Sequence, residues 1–481
     1  MRKVVSATIW SVFDRVWAQI IGFVIGIILA RLLTPEEYGL VGISVMFIAF
    51  ANVFIEAGFS NALIRKLDRT NADYSTAFYF SALMGLIMYI ILYISAPWIA
   101  VFFEDDQLVL LTRFVCLAVV FNSLCIVQNA ILTAELKMRQ QAVINISAQI
   151  PSGLLAVWLA YRGYGIYALA VQTVLAAFLR TILFAIAAKW RPTMEFSMNS
   201  MSYLWGFGSK LIGANFLGSV FNEIYTVLIG KYVGKSDLGL YSKGRSLSCQ
   251  PELVCTGVIQ KVAVPLLANV QEDSAMLKNK YKELTRLVMC VMALISGILI
   301  VIAKPLILLL WGPVWEGTVP VFQVLLIASL ISYVQSLTLV LLQIVNHTEY
   351  TLKLEFVKKP VYLVFIIVLL HKGLLGLMIA LVLTSLWATI VNMSAPHKFI
   401  SYSYLEQMKD VIPYFIACTL GGIVTYGISV ILPHSYILEI VVGFVMLSLI
   451  YVGLLWVIHD EIVLKYGNML FVKVKKGSID E

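Results

Sequence analysis

Two stretches, ARLLTPEEYGL (residues 30–40) and GKYVGKSDLGL (residues 230–240), share one register two hundred positions apart. Arg31 aligns with Lys231, Glu37 with Asp237, Gly39 with Gly239 and Leu40 with Leu240. Each is a short polar interval between long apolar runs. In the first copy Thr34 can act as an N-cap, Pro35 suits the first helical position, and Glu37 completes a capping box. Gly39 would let neighbouring helices approach closely. The stretch reads as a tight turn between two helices, and its recurrence as an internal repeat.

The flanking runs set the class. Of 481 residues, 60% are hydrophobic and 13% charged, with a mean hydropathy of +0.91. About 20 consecutive apolar residues cross a bilayer, so the chain reads as an all-α polytopic membrane protein. Its first apolar segment, 4–33, is too long for a signal-peptide core and lacks a small-residue cleavage site, so it is expected to be a span. The six cysteines fall within spans without metal or disulfide spacing and read as small packing residues. The five histidines are scattered singly, so no metal site is expected.

About 14 spans are expected: 4–33, 38–60, 77–99, 108–132, 142–161, 165–188, 205–232, 238–268, 284–311, 318–345, 360–370, 374–393, 412–432 and 436–458. Lysines and arginines favour cytoplasmic loops. With the N-terminus inside, loops on that side hold twenty-two, against five outside: Arg31, Arg162, Lys231, Lys235 and Lys372. Both termini are therefore expected in the cytoplasm. Six spans separate the two copies of the turn, so the halves share one orientation, a parallel repeat with a substrate path between them. The expected organisation is a six-helix lobe (1–188), a cytoplasmic linker (189–204) and a second six-helix lobe (205–393). Two additional helices (394–458) and a cytoplasmic tail (459–481) follow.

The segments ILARLLTPEEYGLVGISVMFIAFANVFIEAGFSNALIRK (residues 28–66) and VLIGKYVGKSDLGLYSKGRSLSCQP (residues 227–251) resemble the polysaccharide transporter family, the Wzx-like oligosaccharide flippases. Their superfamily also contains multidrug exporters and the lipid II flippase. The resemblance covers nearly the whole chain and implies a rocking, two-lobed transporter in the bacterial cytoplasmic membrane. Its implied cargo is an undecaprenyl-pyrophosphate-linked oligosaccharide, moved from the inner to the outer leaflet for O-antigen, capsule or exopolysaccharide synthesis. A polysaccharide polymerase and chain-length machinery would be natural partners. No cofactor and no nucleic acid are implied, and a proton or sodium ion could drive the cycle.

Because the family offers no strict catalytic motif, site residues are read from charge and depth. Ionisable groups within spans are costly and usually face a cavity or partner. They are Asp14, Arg15, Glu56, Arg113, Arg180, Lys210, Glu223, Lys243, Arg245, Glu252, Lys261 and Lys304, a net positive set. Cations suit a pyrophosphate through charge-assisted hydrogen bonds; a cation exporter would need the opposite balance. Arg15 and Glu56 match in depth on the first hairpin, and Glu223 and Arg245 match on the seventh and eighth spans. Either pair could lock its hairpin or act in gating, as could Asp14 and Glu252. Lys210 and Lys261 match in the cytoplasmic third and are candidates for the pyrophosphate, with Arg180, Lys243 and Arg113 beside them. Snorkelling to the headgroups is the alternative for the two lysines.

Pro251 and Pro305 interrupt helical hydrogen bonding within spans and could be hinges or fixed kinks. DSAMLKNKYKELTR (residues 273–286) is amphipathic and is expected on the inner membrane surface. Short outer loops, with no HExxH, nucleophile elbow or phosphate-cradling glycine loop, argue against a polymerase or other enzyme. A multidrug exporter of the same superfamily is the nearer alternative.

Overall fold

The computed structural model describes residues 2–56, 59–66, 68–431 and 435–465, and every regular element among them is helical. Chain contacts group residues 1–242 as one unit and 243–481 as another.

The first unit opens with α1 (Arg2–Leu32), α2 (Pro35–Glu56), the short α3 (Phe59–Arg65) and α4 (Asn71–Phe103). Then come α5 (Gln107–Val115), α6 (Leu117–Ala134), α7 (Met138–Tyr161), α8 (Ile166–Ala188) and α9 (Met198–Tyr232). Helix α10 (Lys235–Val258) crosses into the second unit, where a π-helical turn (Ile259–Ala263) leads to α11 (Val264–Ala268). There follow α12 (Ser274–Val301), α13 (Ala303–Trp311), α14 (Thr318–Tyr333), α15 (Thr338–Ile344) and α16 (Glu349–Leu370). The described chain continues through α17 (Gly373–Asn392), α18 (Ser394–Ile400), α19 (Tyr404–Ile431) and α20 (Tyr436–Val457).

Among the described residues, eleven helical segments are long and apolar enough to cross a membrane, so the chain is a multi-pass membrane protein. Each of eleven expected spans falls on one of them. The expected spans 4–33, 205–232 and 360–370 fall on α1, α9 and α16, outside those eleven. Helix α16 starts at Glu349, ahead of the expected 360 and close to the earlier start near Leu354 that so short a span left open. Glu355 pairs with Lys358 and Lys359 one turn on, and such spacing supports a helix ahead of Pro360.

The turn before α2 forms as its residues dictate. Thr34 N–H donates to Glu37 Oε2 at 2.7 Å and Glu37 N–H returns to Thr34 Oγ1 at 3.4 Å. The linker after α8 is tied down on α4: Thr193 N–H donates to Ser75 Oγ at 3.0 Å and Ser197 N–H to Thr76 Oγ1 at 3.0 Å. Trp190 meets Tyr74 and Phe78 edge-on.

The amphipathic segment 273–286 departs from expectation. It forms the first turns of α12, capped by Asp273, whose Oδ1 accepts from Ala275 and Met276 N–H at 3.0 Å. Leu277, Tyr281 and Leu284 are buried in the second unit's core, so their apolar stripe faces protein rather than lipid. Pro305 lies just inside α13, and the expected span 284–311 breaks at Ile302, between α12 and α13. Proline's missing N–H removes the bond that would have joined the two segments.

Candidate functional site

The first unit contains a polar cleft of about 450 Å³, lined by residues of α2, α6, α7 and α8. Helix α6 supplies Asn122, Asn129 and Thr133, spaced seven and four apart so that they share one face. Helix α2 contributes Asn52 and Glu56, α7 contributes Gln141 and Asn145, and Arg180 enters from α8. Gln141 Nε2 is the hinge pin of the wall, donating to Asn129 Oδ1 at 2.8 Å and Thr133 Oγ1 at 2.7 Å. Arg180 Nε is buried with no hydrogen-bond partner among the described residues. Leaving such a donor unmatched is costly.

At the far end of the same unit the two repeated turns meet. A Cβ on Gly39 would come within 1.9 Å of the Lys235 carbonyl oxygen, and one on Gly239 within 1.7 Å of the Pro35 carbonyl oxygen. The contacts are reciprocal at equivalent positions of the repeat, 35 with 239 and 235 with 39. Only glycine permits this approach on both sides. Two ion pairs tie the second turn to the loop after α4: Lys231 Nζ to Glu104 Oε1 at 2.6 Å and Lys235 Nζ to Asp105 Oδ2 at 2.5 Å. The hydrogen bond from Lys231 holds the Glu104 carboxyl below its usual range.

The second unit holds a different cavity. An apolar groove of about 820 Å³ runs between α12, α14, α17 and α19, with Ile327, Ile331, Ile390, Ile412, Phe415 and Ile423 in its walls. Beside it, α12 is fastened to α19 and to the segment after α20 by charges. Arg286 faces Asp410, Asp460 and Glu461 at 3.7, 3.6 and 2.6 Å. Tyr402 and Tyr414 donate hydroxyl hydrogen bonds to Asp410 and Asp460 at 2.7 and 3.0 Å. Both aspartates are buried, so the tyrosines and Arg286 offset their desolvation.

Residues 28–320 match the family described as "Polysaccharide biosynthesis protein". The chain belongs to this polysaccharide transporter family. It is 24% identical to the teichuronic acid biosynthesis protein TuaB of Bacillus subtilis (strain 168), across 69% of each chain. It is 22% identical to the lipopolysaccharide biosynthesis protein WzxC of Escherichia coli (strain K12), across 89% of this chain and 88% of that one. Among solved structures it is similar to the lipid II flippase MurJ in an inward closed conformation. That match has a TM-score of 0.73 at 14% identity, covering 94% of this chain and 100% of the other. An inward-facing MATE multidrug transporter shares the fold with a TM-score of 0.62 at 16% identity, across 80% of this chain and 94% of that one.

In the transporter, the residues singled out by charge and depth are distributed as follows. Glu56 and Arg180 share the polar cleft. Arg113 lies over the Tyr93 ring at 4.3 Å and its Nε donates to the Tyr93 carbonyl at 3.3 Å, stapling α5 to α4. Lys243 sits above Trp311 and Trp315 at 5.4 and 5.7 Å from their ring centres. Lys261 is exposed in the π-helical turn, and Glu252 is exposed on α10 after Pro251. Glu223 accepts from Thr226 Oγ1 at 2.8 Å in α9, and Arg245 lies on α10. Lys304 pairs with Glu316 at 3.0 Å. The side chains of Asp14, Arg15 and Lys210 lie outside the described residues, as does the tail beyond Lys465.

What a search for ionisable groups passes over is the carboxamides. Asn122, Asn129, Gln141 and Asn145 carry no charge, yet their helical spacing within apolar spans could have revealed the cleft. Trp311 and Trp315 were likewise legible only as apolar residues until the fold set them beneath Lys243.

Proposed function

We propose that this transporter moves undecaprenyl-pyrophosphate-linked oligosaccharide units from the inner to the outer leaflet of the bacterial cytoplasmic membrane. The observation that carries this reading is a chemical contrast: an apolar groove in one unit and a polar cleft in the other. A lipid-linked oligosaccharide has the same two characters, a polyisoprenyl tail and a hydroxylated head. The groove formed by α12, α14, α17 and α19 suits the tail, since isoprenyl surface gains by leaving water for apolar side chains. Relatives named for teichuronic acid and lipopolysaccharide biosynthesis support a polysaccharide precursor as cargo.

The pyrophosphate would be met by Lys210 and Lys261, whose ammonium groups are rotatable point charges suited to releasable binding. Lys243 would assist from its place over the two tryptophans. Alternating access would open and close the outer end at the reciprocal Gly39 and Gly239 contact, with the Lys231–Glu104 and Lys235–Asp105 pairs beside it. Both termini would face the cytoplasm, and the transporter would hand its product to a polymerase acting outside. Deleting the gene and following lipid-linked oligosaccharides tests this reading. Accumulation of the lipid-linked unit on the inner leaflet is expected; an unchanged distribution between leaflets would overturn it.

A further inference from the structure

We infer that the polar cleft in the first unit is a sugar-ring subsite that grips one uncharged pyranose of the cargo, apart from the pyrophosphate. This rests on the reading of the cargo as a lipid-linked oligosaccharide. The cleft is larger than a bare cation requires. A bare cation is held by oxygens at roughly 2.0–2.6 Å in a compact cage, whereas about 450 Å³ lies within the roughly 300–1,000 Å³ range of small-molecule pockets.

Its chemistry narrows the guest further. Asn52, Asn122, Asn129 and Asn145 line it with side-chain carboxamides, a group that carries both donor and acceptor atoms, while Gln141 Nε2 is already bonded to Asn129 and Thr133. Adjacent ring hydroxyls also donate and accept, so planar amides can satisfy them in pairs. Arg180 offers only donors and Glu56, when ionised, only acceptors. One hydroxyl can receive from the Arg180 guanidinium, and another can donate to Glu56, since both residues line the cleft. The two opposite charges leave the lining without net charge. A multiply charged pyrophosphate would face Glu56 and find a single cation, which disfavours it there.

The geometry of α6 gives the cleft a direction. Asn122 and Thr133 are eleven residues apart, about 16 Å along a helix. Thr133 and Gln141 lie at the α6–α7 connection, which carries Lys137 and Arg139 and is expected on the cytoplasmic side. The cleft therefore leads from that face inward, where a newly made precursor would present its sugars.

Cys125 lies in the lining and provides a probe in the unaltered protein. The full chain in nanodiscs would be treated with N-ethylmaleimide, and modification of each cysteine followed by peptide mass spectrometry. Methyl hexopyranosides should slow labelling at Cys125 several-fold and leave Cys249 unchanged, while inorganic pyrophosphate should not protect Cys125. Saturation-transfer NMR with the same glycosides should lose most of its signal in Asn122→Ala and Gln141→Ala, with Ser448→Ala as the control. Protection by pyrophosphate alone, or by neither probe, would overturn the subsite. Unaltered glycoside signal in folded Asn122→Ala and Gln141→Ala would do the same. If glycosides protect Cys125 yet leaflet distributions do not depend on the gene, the flippase reading fails and the sugar site remains. If the gene is required for translocation and no glycoside protects, the subsite alone falls.

Discussion

At the scale of single residues, the duplicated glycine has a steric explanation. Gly39 and Gly239 each meet a carbonyl oxygen of the other copy's turn, so any Cβ forces backbone apart. Overpacking of this kind costs about 1–3 kcal/mol. Gly39→Ala should lower the thermal unfolding midpoint in detergent, whereas Gly213→Ala, with nothing within 4 Å of its added Cβ, should not. The nearby Glu104 gives a pH dependence with a definite sign. Its folded pKa is lowered by the hydrogen bond from Lys231, so its contribution is present above the unfolded carboxylate value of about 4.3. That contribution is lost as pH falls through the lowered folded value. The difference in unfolding midpoint between wild type and Glu104→Gln should therefore be visible at neutral pH and close in acid. The sequence showed the glycines and the cap at Thr34. It could not show that the two turns touch, because that contact joins positions two hundred residues apart.

Among the elements, helix type was legible because long apolar runs leave few alternatives in lipid. Breaks within helices were less so. The interruption at Ile302 follows from Pro305, and the π-helical turn at Ile259–Ala263 is followed at once by Pro265 in α11, but neither proline shows in sequence which kind of break it makes. Segment 273–286 shows the other limit: its amphipathic pattern was correct, while the partner for its apolar face was a core containing Tyr402 and Tyr414. The charged fastening at Arg286 belongs to this scale because it joins α12 to α19. Arg286→Met would leave Asp460 buried without a cation and Asp410 with Lys282 alone at 3.2 Å, and removing one partner of a buried pair costs roughly 3–5 kcal/mol. The loss should appear in thermal unfolding, and adding Asp410→Asn and Asp460→Asn should restore part of it. No recovery in the triple variant would mean that these groups do not act as a unit.

For the whole molecule, the repeat and the loop charges lead to a topology that can be checked directly. Reporter fusions at Arg69 and Lys282 should be cytoplasmic, and fusions at Asp106 and Lys235 should face outward. The membrane class and the family were visible in composition and in the two conserved-register turns, while the polar cleft was not, since amides contribute nothing to a charge inventory. The central claim is translocation itself. Purified protein would be reconstituted into liposomes containing an undecaprenyl-pyrophosphate-linked oligosaccharide, and a glycan-cleaving enzyme added outside. With the transporter present, the cleaved fraction should rise from the outer-leaflet share to nearly all of the lipid, at a rate reduced by Lys261→Gln. A cleaved fraction that stays at the outer-leaflet share, with protein correctly folded and inserted, would contradict the account.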